Sequence, residues 1–222
     1  DRAILITDRR AAASYTLATS YILARTIRTI GRYDIVLCGR QAIDGDTAQV
    51  GPQIAEKLGL PQVTYLEQLV DIVDGQARVR RNVGRGWEIV DVHLPALFTV
   101  ISTANQPRPP AARRVMRFKR ARIPAEIEAE VRASLGNASD EEVLDAIAKR
   151  TEELRRQGLL LEQWNLDDIH ADLNRCGLPG SPTKVFRVQA IVLTKKGYTE
   201  IPPTEEGIRR LIHELVVDRT LG

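Results

Sequence analysis

Residues 34–58, DIVLCGRQAIDGDTAQVGPQIAEKL, constrain the fold of this chain more than any other passage. Asp34 to Cys38 is a short apolar run closed by Gly39, the pattern of a buried parallel strand. Val50, Ile54, Ala55 and Leu58 then recur at helical spacing, and Gly59 stops the helix. Between strand and helix lies a loop that contains Gly39, Gly45 and Gly51 together with Asp44 and Asp46. In an open α/β sheet, ligands sit at the carboxyl ends of the strands, where a loop leads into a helix whose free N–H groups attract anions. Glycines in such a loop allow positive φ and close backbone approach, and short carboxylates tie down turn amides. Pro52 removes one N–H from the first turn of the helix. The loop is therefore expected to form an anion cradle.

The rest of the chain supplies a sheet for that loop. Ala3 to Thr7 is strand-like, and Leu23, Ala24, Ile27 and Ile30 recur with helix period up to Gly31. Strand, helix, strand, helix predicts a parallel α/β sheet. From Pro61 the pattern shifts to short alternating runs, Val63–Tyr65, Val70–Val73, Ala77–Arg80 and Trp87–Val92, split by Asp74-Gly75 and Gly84-Arg85-Gly86. These predict an antiparallel excursion. Leu97 to Ile101 returns as a continuous apolar strand. Residues 105–124 hold six arginines, one lysine and four prolines, with no carboxylate. That is either a solvated connector or a docking loop for an acidic partner, and charge alone favours the connector. Ser139-Asp140-Glu141-Glu142 is a capping box that opens a helix running to Gly158. Pro179 to Thr183 reads as a rigid turn and Val185 to Leu193 as a further strand. Thr204 caps a last helix whose Ile208, Leu211, Ile212, Leu215 and Val216 form an apolar stripe. That stripe is expected to bury itself on another subunit.

Composition narrows the chemistry. With 222 residues, 43% hydrophobic and 27% charged, the chain can bury a real core. The 32 Lys+Arg against 29 Asp+Glu leave a net charge of +3, too slight to argue for nucleic acid. Two cysteines, Cys38 and Cys176, provide no disulfide framework and no Cys-based zinc site, so a reducing cytoplasm is expected. No apolar stretch approaches the ~18 residues that span a bilayer. Neither the P-loop pattern nor a G-x-G-x-x-G after a strand is present. Asp44-Gly45-Asp46 is better read as a turn than as a magnesium site, and His93, His170 and His213 lack ligand spacing. No nucleophile set assembles, so no catalytic residue and no metal site are expected, and any chemistry belongs to a bound cofactor. The chain opens at Asp1, directly before a strand-like run and without methionine, from which an upstream segment is expected to have been lost.

The stretch GRQAIDGDTAQVGPQIAEKLGLPQVTY at 39–65, with LPALFTV, NQPRPP and GLPGSPTKV, closely resembles the β subunit of electron-transfer flavoproteins, including relatives linked to nitrogen fixation and to flavin-based electron bifurcation. The resemblance implies an adenine-nucleotide-binding sheet of HUP/Rossmann-like type, with an antiparallel hairpin excursion and a C-terminal helical arm. It divides the chain into a nucleotide-binding domain at 1–125, N-terminally incomplete, a helical insertion at 126–163, a return to the core at 164–193 and an arm at 194–222 that packs on an α subunit. It further implies that Arg40 to Gly51 holds an adenine nucleotide with its phosphates on the amides around Ala48 to Gly51. The cofactor-binding set is then Cys38, Gly39, Arg40, Gln41, Ala42, Ile43, Asp44, Gly45, Asp46, Thr47, Ala48, Gln49, Val50 and Gly51.

Members of this family are heterodimers. The α subunit carries a shuttling FAD, and the β subunit carries either a structural AMP or, in the bifurcating branch, a second FAD. The form DGDTAQVGP looks more like the bifurcating and nitrogen-fixation members, so FAD is expected, with AMP as the alternative. A bifurcating pair takes a hydride from NADH, sends one electron to a low-potential acceptor such as ferredoxin or flavodoxin, and passes the other through the α flavin to an acyl-CoA dehydrogenase or quinone reductase. A redox-inactive nucleotide-binding module is the reading from a different class. The family's partner-docking loop corresponds to Ala111–Arg120, where Ala112 replaces the leucine of the mitochondrial type and Arg114 and Phe118 replace smaller residues. The family's first strands precede the residue matching Asp1, and residues from about Glu126 to Leu161 look like an insertion.

Overall fold

The computed structural model describes residues 2–136, 138–184 and 200–217. They belong to two compact units, Asp1–Lys184 and Val185–Gly222. In the first unit, β1 (Ile4–Ile6) leads through a short 3-10 turn at Arg9–Ala11 to α1 (Thr16–Ile30), which Gly31 ends. β2 (Ile35–Gly39) follows, then α2 (Val50–Leu58), ended by Gly59 in the left-handed region. β3 (Gln62–Val73), β4 (Gln76–Asn82) and β5 (Trp87–His93) form an antiparallel excursion, and β6 (Ala96–Val100) returns to the core. Next come α3 (Ala112–Phe118), α4 (Pro124–Leu135), α5 (Asp140–Gln157) and β7 (Glu162–Trp164). The second unit contains α6 (Glu205–Val217), where Thr204 Oγ1 accepts the Gly207 N–H at 3.2 Å.

The main sheet has five strands in the order β2-β6-β3-β4-β5, parallel from β2 to β3 and antiparallel from β3 to β5. Two of the separate strands expected from the sequence, around Val63 and Val70, are one long strand. β3 pairs with β6 in its first half and with β4 in its second, shifting register between Leu66 and Gln68 and again between Leu69 and Asp71. Bulges let one strand change partners without a turn.

A second difference concerns β1. The strand-helix-strand order predicts that β1 and β2 share a sheet, yet β1 pairs in parallel with β7, from beyond the helical hairpin. α1 covers both strands. Its Tyr21 and Ile22 pack with Ile6, Trp164, Leu166 and Ile169, while its Leu23 and Ile27 pack with Val36, Cys38, Ile54 and Leu97. One helix thus packs on two sheets that are not paired with each other. The Thr7 N–H faces Trp164, donating at 3.0 Å, and the Asp34 carbonyl faces β6, accepting from Ala96 at 3.1 Å. Alternation along each strand therefore turns the main-chain groups of Ile4 and Ile6 away from β7, and those of Ile35, Leu37 and Gly39 away from β6.

The remaining elements have cores of their own. Val63, Leu66, Ala77, Val79, Val92 and Phe98 bury the inner face of the β3–β5 excursion. α4 and α5 close on Ile127, Val131, Val143, Leu154 and Leu159. The capping box at Ser139 forms as read from the sequence: Ser139 Oγ accepts the Glu142 N–H at 3.3 Å and Glu142 Oε2 accepts the Ser139 N–H at 2.9 Å. Residues 105–124, favoured as a connector, include the short helix α3, with every residue from 105 to 120 exposed. The strand expected at Val185 to Leu193 lies outside the described residues. Among the described residues no helix is long and apolar enough to cross a membrane.

Candidate functional site

The first turns of α1 and α2 lie side by side. Thr16 Oγ1 donates to Gln49 Oε1 at 3.0 Å, and Ser20 Oγ to Gln53 Oε1 at 2.9 Å. Because α1 follows β1 and α2 follows β2, both helix starts sit at the carboxyl ends of parallel strands, where α/β sheets bind ligands. A cleft of about 490 Å³ opens between them. That is within the roughly 300–1,000 Å³ of ordinary ligand pockets.

Twelve of the fourteen residues expected from the loop line this cleft: Cys38, Gly39, Arg40, Gln41, Ala42, Asp44, Gly45, Thr47, Ala48, Gln49, Val50 and Gly51. The other two are placed differently. Ile43 is fully exposed. Asp46 braces the loop, accepting from Gln41 Nε2, while its N–H donates to the Ala42 carbonyl at 3.1 Å. The opposite wall was not read from the sequence and comprises Ser14, Tyr15, Thr16, Thr19 and Leu23, with Ile54 beneath. Its signal was the GLPGSPT turn, which clamps this wall from behind. Ser181 Oγ accepts the Tyr15 N–H at 2.9 Å and donates to the Gly177 carbonyl at 2.8 Å, and Ser14 Oγ accepts the Gly177 N–H at 3.0 Å. Gly177 has φ 58°, and a Cβ there would lie 2.4 Å from the Arg10 carbonyl oxygen.

The loop backbone corrects one expectation. None of Gly39, Gly45 and Gly51 has positive φ; Asp46 at 50° and Ala48 at 53° do. Aspartate enters the left-handed region more readily than other residues, whereas for alanine it costs roughly 1–2 kcal/mol. Gly51 serves packing, since a Cβ on it would sit 2.7 Å from Thr99 Cγ2 and 3.5 Å from Cys38 Cβ. This glycine lets α2 lie directly on β2 and β6.

The cleft is receptive to anions. Gln49, the residue before α2, makes no side-chain cap, so no side chain covers the N–H groups of Val50 and Gly51. Their partial positive charge and the α2 dipole point into the cleft. Arg40 on the rim takes part in no ion pair among the described residues. Burial pushes the Cys38 thiol above its ordinary value, which keeps it protonated and unreactive at neutral pH. Among the described residues no cluster of His, Cys, Asp or Glu could hold a metal ion, and no histidine lines the cleft.

Sheet topology and cleft define an α/β protein with an open pocket where parallel strands give way to helices. The electron transfer flavoprotein domain family matches residues 1–129. Electron transfer flavoprotein subunit beta of Clostridium acetobutylicum is 36% identical over 216 residues, covering 97% of this chain and 68% of that protein. Protein FixA of Bradyrhizobium diazoefficiens is 33% identical over 226 residues, 99% of this chain and 65% of that protein. The caffeyl-CoA reductase-Etf complex subunit CarD of Acetobacterium woodii is 37% identical over 187 residues, 84% of this chain and 56% of that protein. The chain belongs to the electron transfer flavoprotein family, among its β subunits.

Proposed function

We propose that the chain is the β subunit of a heterodimeric electron-transfer flavoprotein that holds FAD in the cleft. Electrons from NADH or a dehydrogenase pass through it to the FAD of the α subunit and on to a partner oxidoreductase. The observation that carries this reading is the uncapped start of α2, opening into a cleft that the Cys38–Gly51 loop encloses. A family named for flavoproteins supports it, as does the reductase complex in the name of one relative.

The residues present fit a dinucleotide. N–H groups of Val50 and Gly51 would hold phosphate, Arg40 would supply counter-charge, and the ring of Tyr15 offers a face for a base. Leu23, Val50 and Ile54 give an apolar floor that excludes water and strengthens those polar contacts. When bound, FAD would supply hydride acceptance and one-electron transfer, chemistry that these side chains lack. On this reading residues 194–222 form an arm on the α subunit.

One observation favours a structural AMP instead. Among the described residues Tyr15 is the one aromatic side chain that lines the cleft, so no other described ring would stack there on an isoalloxazine. Co-expression with the α partner, denaturation and chromatography of the released nucleotides separates the two. Two FAD per heterodimer is the expected result, one FAD with one AMP establishes the simple carrier, and release of no flavin overturns both.

A further inference from the structure

Two hydrogen bonds tie α1 to α2, and they differ in where they stand. Thr16 and Gln49 line the cleft, whereas Ser20 and Gln53 follow them by four residues on each helix and are outside its lining. Residues four apart on a helix lie one above the other. The Thr16–Gln49 bond at 3.0 Å and the Ser20–Gln53 bond at 2.9 Å are therefore successive rungs between two helices that run in the same direction.

The second rung is more than a remedy for burial. Ser20 is 0% exposed, and a buried hydroxyl needs a partner. It has one within its own helix, since the Leu17 carbonyl also lies 2.9 Å from Ser20 Oγ. The bond to Gln53 on α2 is thus additional to what satisfies Ser20. Large apolar contacts between these helices lie beyond the rungs, where Leu23 and Ile27 of α1 share a cluster with Ile54 and Leu58 of α2, while Leu17 is 40% exposed. Apolar burial is non-directional, so it resists separation of the helices without fixing the offset of one along the other. Hydrogen bonds hold within a narrow range of distance and angle, and they do fix it.

We infer that Ser20 and Gln53 are positioning residues of the nucleotide cleft. Their bond sets the offset between the α1 wall, with Tyr15, Thr16 and Thr19, and the N–H groups that open α2, so that one ligand meets both. Walls already in place before the ligand arrives are a source of affinity, because binding then orders less of the protein. The inference deepens the nucleotide reading of the cleft and rests on it.

The test titrates the full chain with ADP by isothermal calorimetry and follows thermal melting in parallel. Gln53→Met keeps an unbranched side chain of similar length and removes the acceptor. It is expected to weaken ADP binding by about fivefold or more, with little change in melting because Ser20 keeps its bond to Leu17. Ser20→Ala should weaken binding similarly, and the double variant no more than either single one, since each removes the same bond. Ile169→Val, which thins the packing on Tyr21 and Ile22 of α1, should do the opposite, lowering the melting temperature while leaving affinity within about twofold. A second readout needs no nucleotide. Cys38 lines the cleft and Cys176 is buried, so labelling of Cys38 by methyl methanethiosulfonate, located by mass spectrometry, should quicken in Gln53→Met and not in Ile169→Val. Unchanged affinity in both single variants overturns the inference, as do additive losses in the double variant. Failure of the unaltered chain to bind ADP brings down the nucleotide reading instead, and an unchanged labelling rate in Gln53→Met then overturns the inference as well.

Discussion

Gly51 shows how a single residue can serve both helix and cleft. Its missing side chain lets the α2 backbone approach Thr99, and its N–H belongs to the uncapped first turn that faces the cleft. Gly51→Ala places a methyl 2.7 Å from Thr99 Cγ2, in a core that also holds Ile54, Ala55 and Leu97. Overpacking of this kind costs typically about 1–3 kcal/mol. Urea denaturation should register a loss of that size, and Thr99→Ser in the same chain should restore part of it by removing Cγ2. The Thr99 hydroxyl that accepts the Tyr65 N–H at 3.1 Å is kept in that variant. A Gly51→Ala chain as stable as the unaltered one would show that α2 does not lie on the sheet as described. The sequence made this loop legible as a cradle because glycines and aspartates at a strand-to-helix turn have few other uses. It did not reveal which residues carry the unusual backbone. Composition says that positive φ is affordable at glycine, whereas the Gln41–Asp46 contact and the Asp46-to-Ala42 turn decide that Asp46 and Ala48 adopt it.

At the scale of elements, local pattern read correctly and long-range pairing did not. α5 was legible from its capping box and its Gly158 stop, and α2 from its spacing and Gly59. The partner of β1 was not legible, since no feature of Ile4–Ile6 points to Glu162–Trp164, more than 150 residues away. What holds that pairing in place includes a charged clasp. Asp8 accepts from Arg10 Nη2 at 2.6 Å, from the Arg10 N–H at 2.8 Å and from the Leu166 N–H at 3.2 Å, and Arg10 Nη2 also reaches Asp167 Oδ2 at 2.7 Å. The Arg10 guanidinium, with help from those N–H donors, holds the Asp8 carboxyl well below the usual carboxylate range. A depressed folded-state value means that the unfolded chain binds the proton first. The clasp's contribution is therefore complete above the unfolded value of about 3.9 and is lost as pH falls below it. Asp8→Asn should lower the urea midpoint at pH 6 and leave it less sensitive to acid between about pH 5 and 3. A variant with the slope of the unaltered chain over that range would remove Asp8 from the account.

Across the whole molecule, the cleft joins two parts of the chain that nothing in sequence places together, the Ser14–Thr19 wall and the Cys38–Gly51 loop. Ligand binding and global stability are therefore linked, and a substitution at Thr47 sets the two against each other. Thr47 lines the cleft three residues before Val50, the first residue of α2. A carboxylate near a helix N-terminus is favourable by about 0.3–1 kcal/mol, so Thr47→Glu should leave the unliganded protein as stable or slightly more so. The same charge competes with phosphate for the N–H groups of Val50 and Gly51. For a nucleotide at a hundred times its dissociation constant, binding to the folded chain alone adds about 2.7 kcal/mol. Titration with AMP, ADP or FAD should thus raise the melting temperature of the unaltered chain and fail to raise that of Thr47→Glu at the same concentration. A binding site elsewhere predicts equal shifts in both proteins, and a purely structural role for Thr47 predicts a variant that melts lower before any nucleotide is added. Only repulsion of phosphate at the start of α2 combines undiminished intrinsic stability with a lost ligand response.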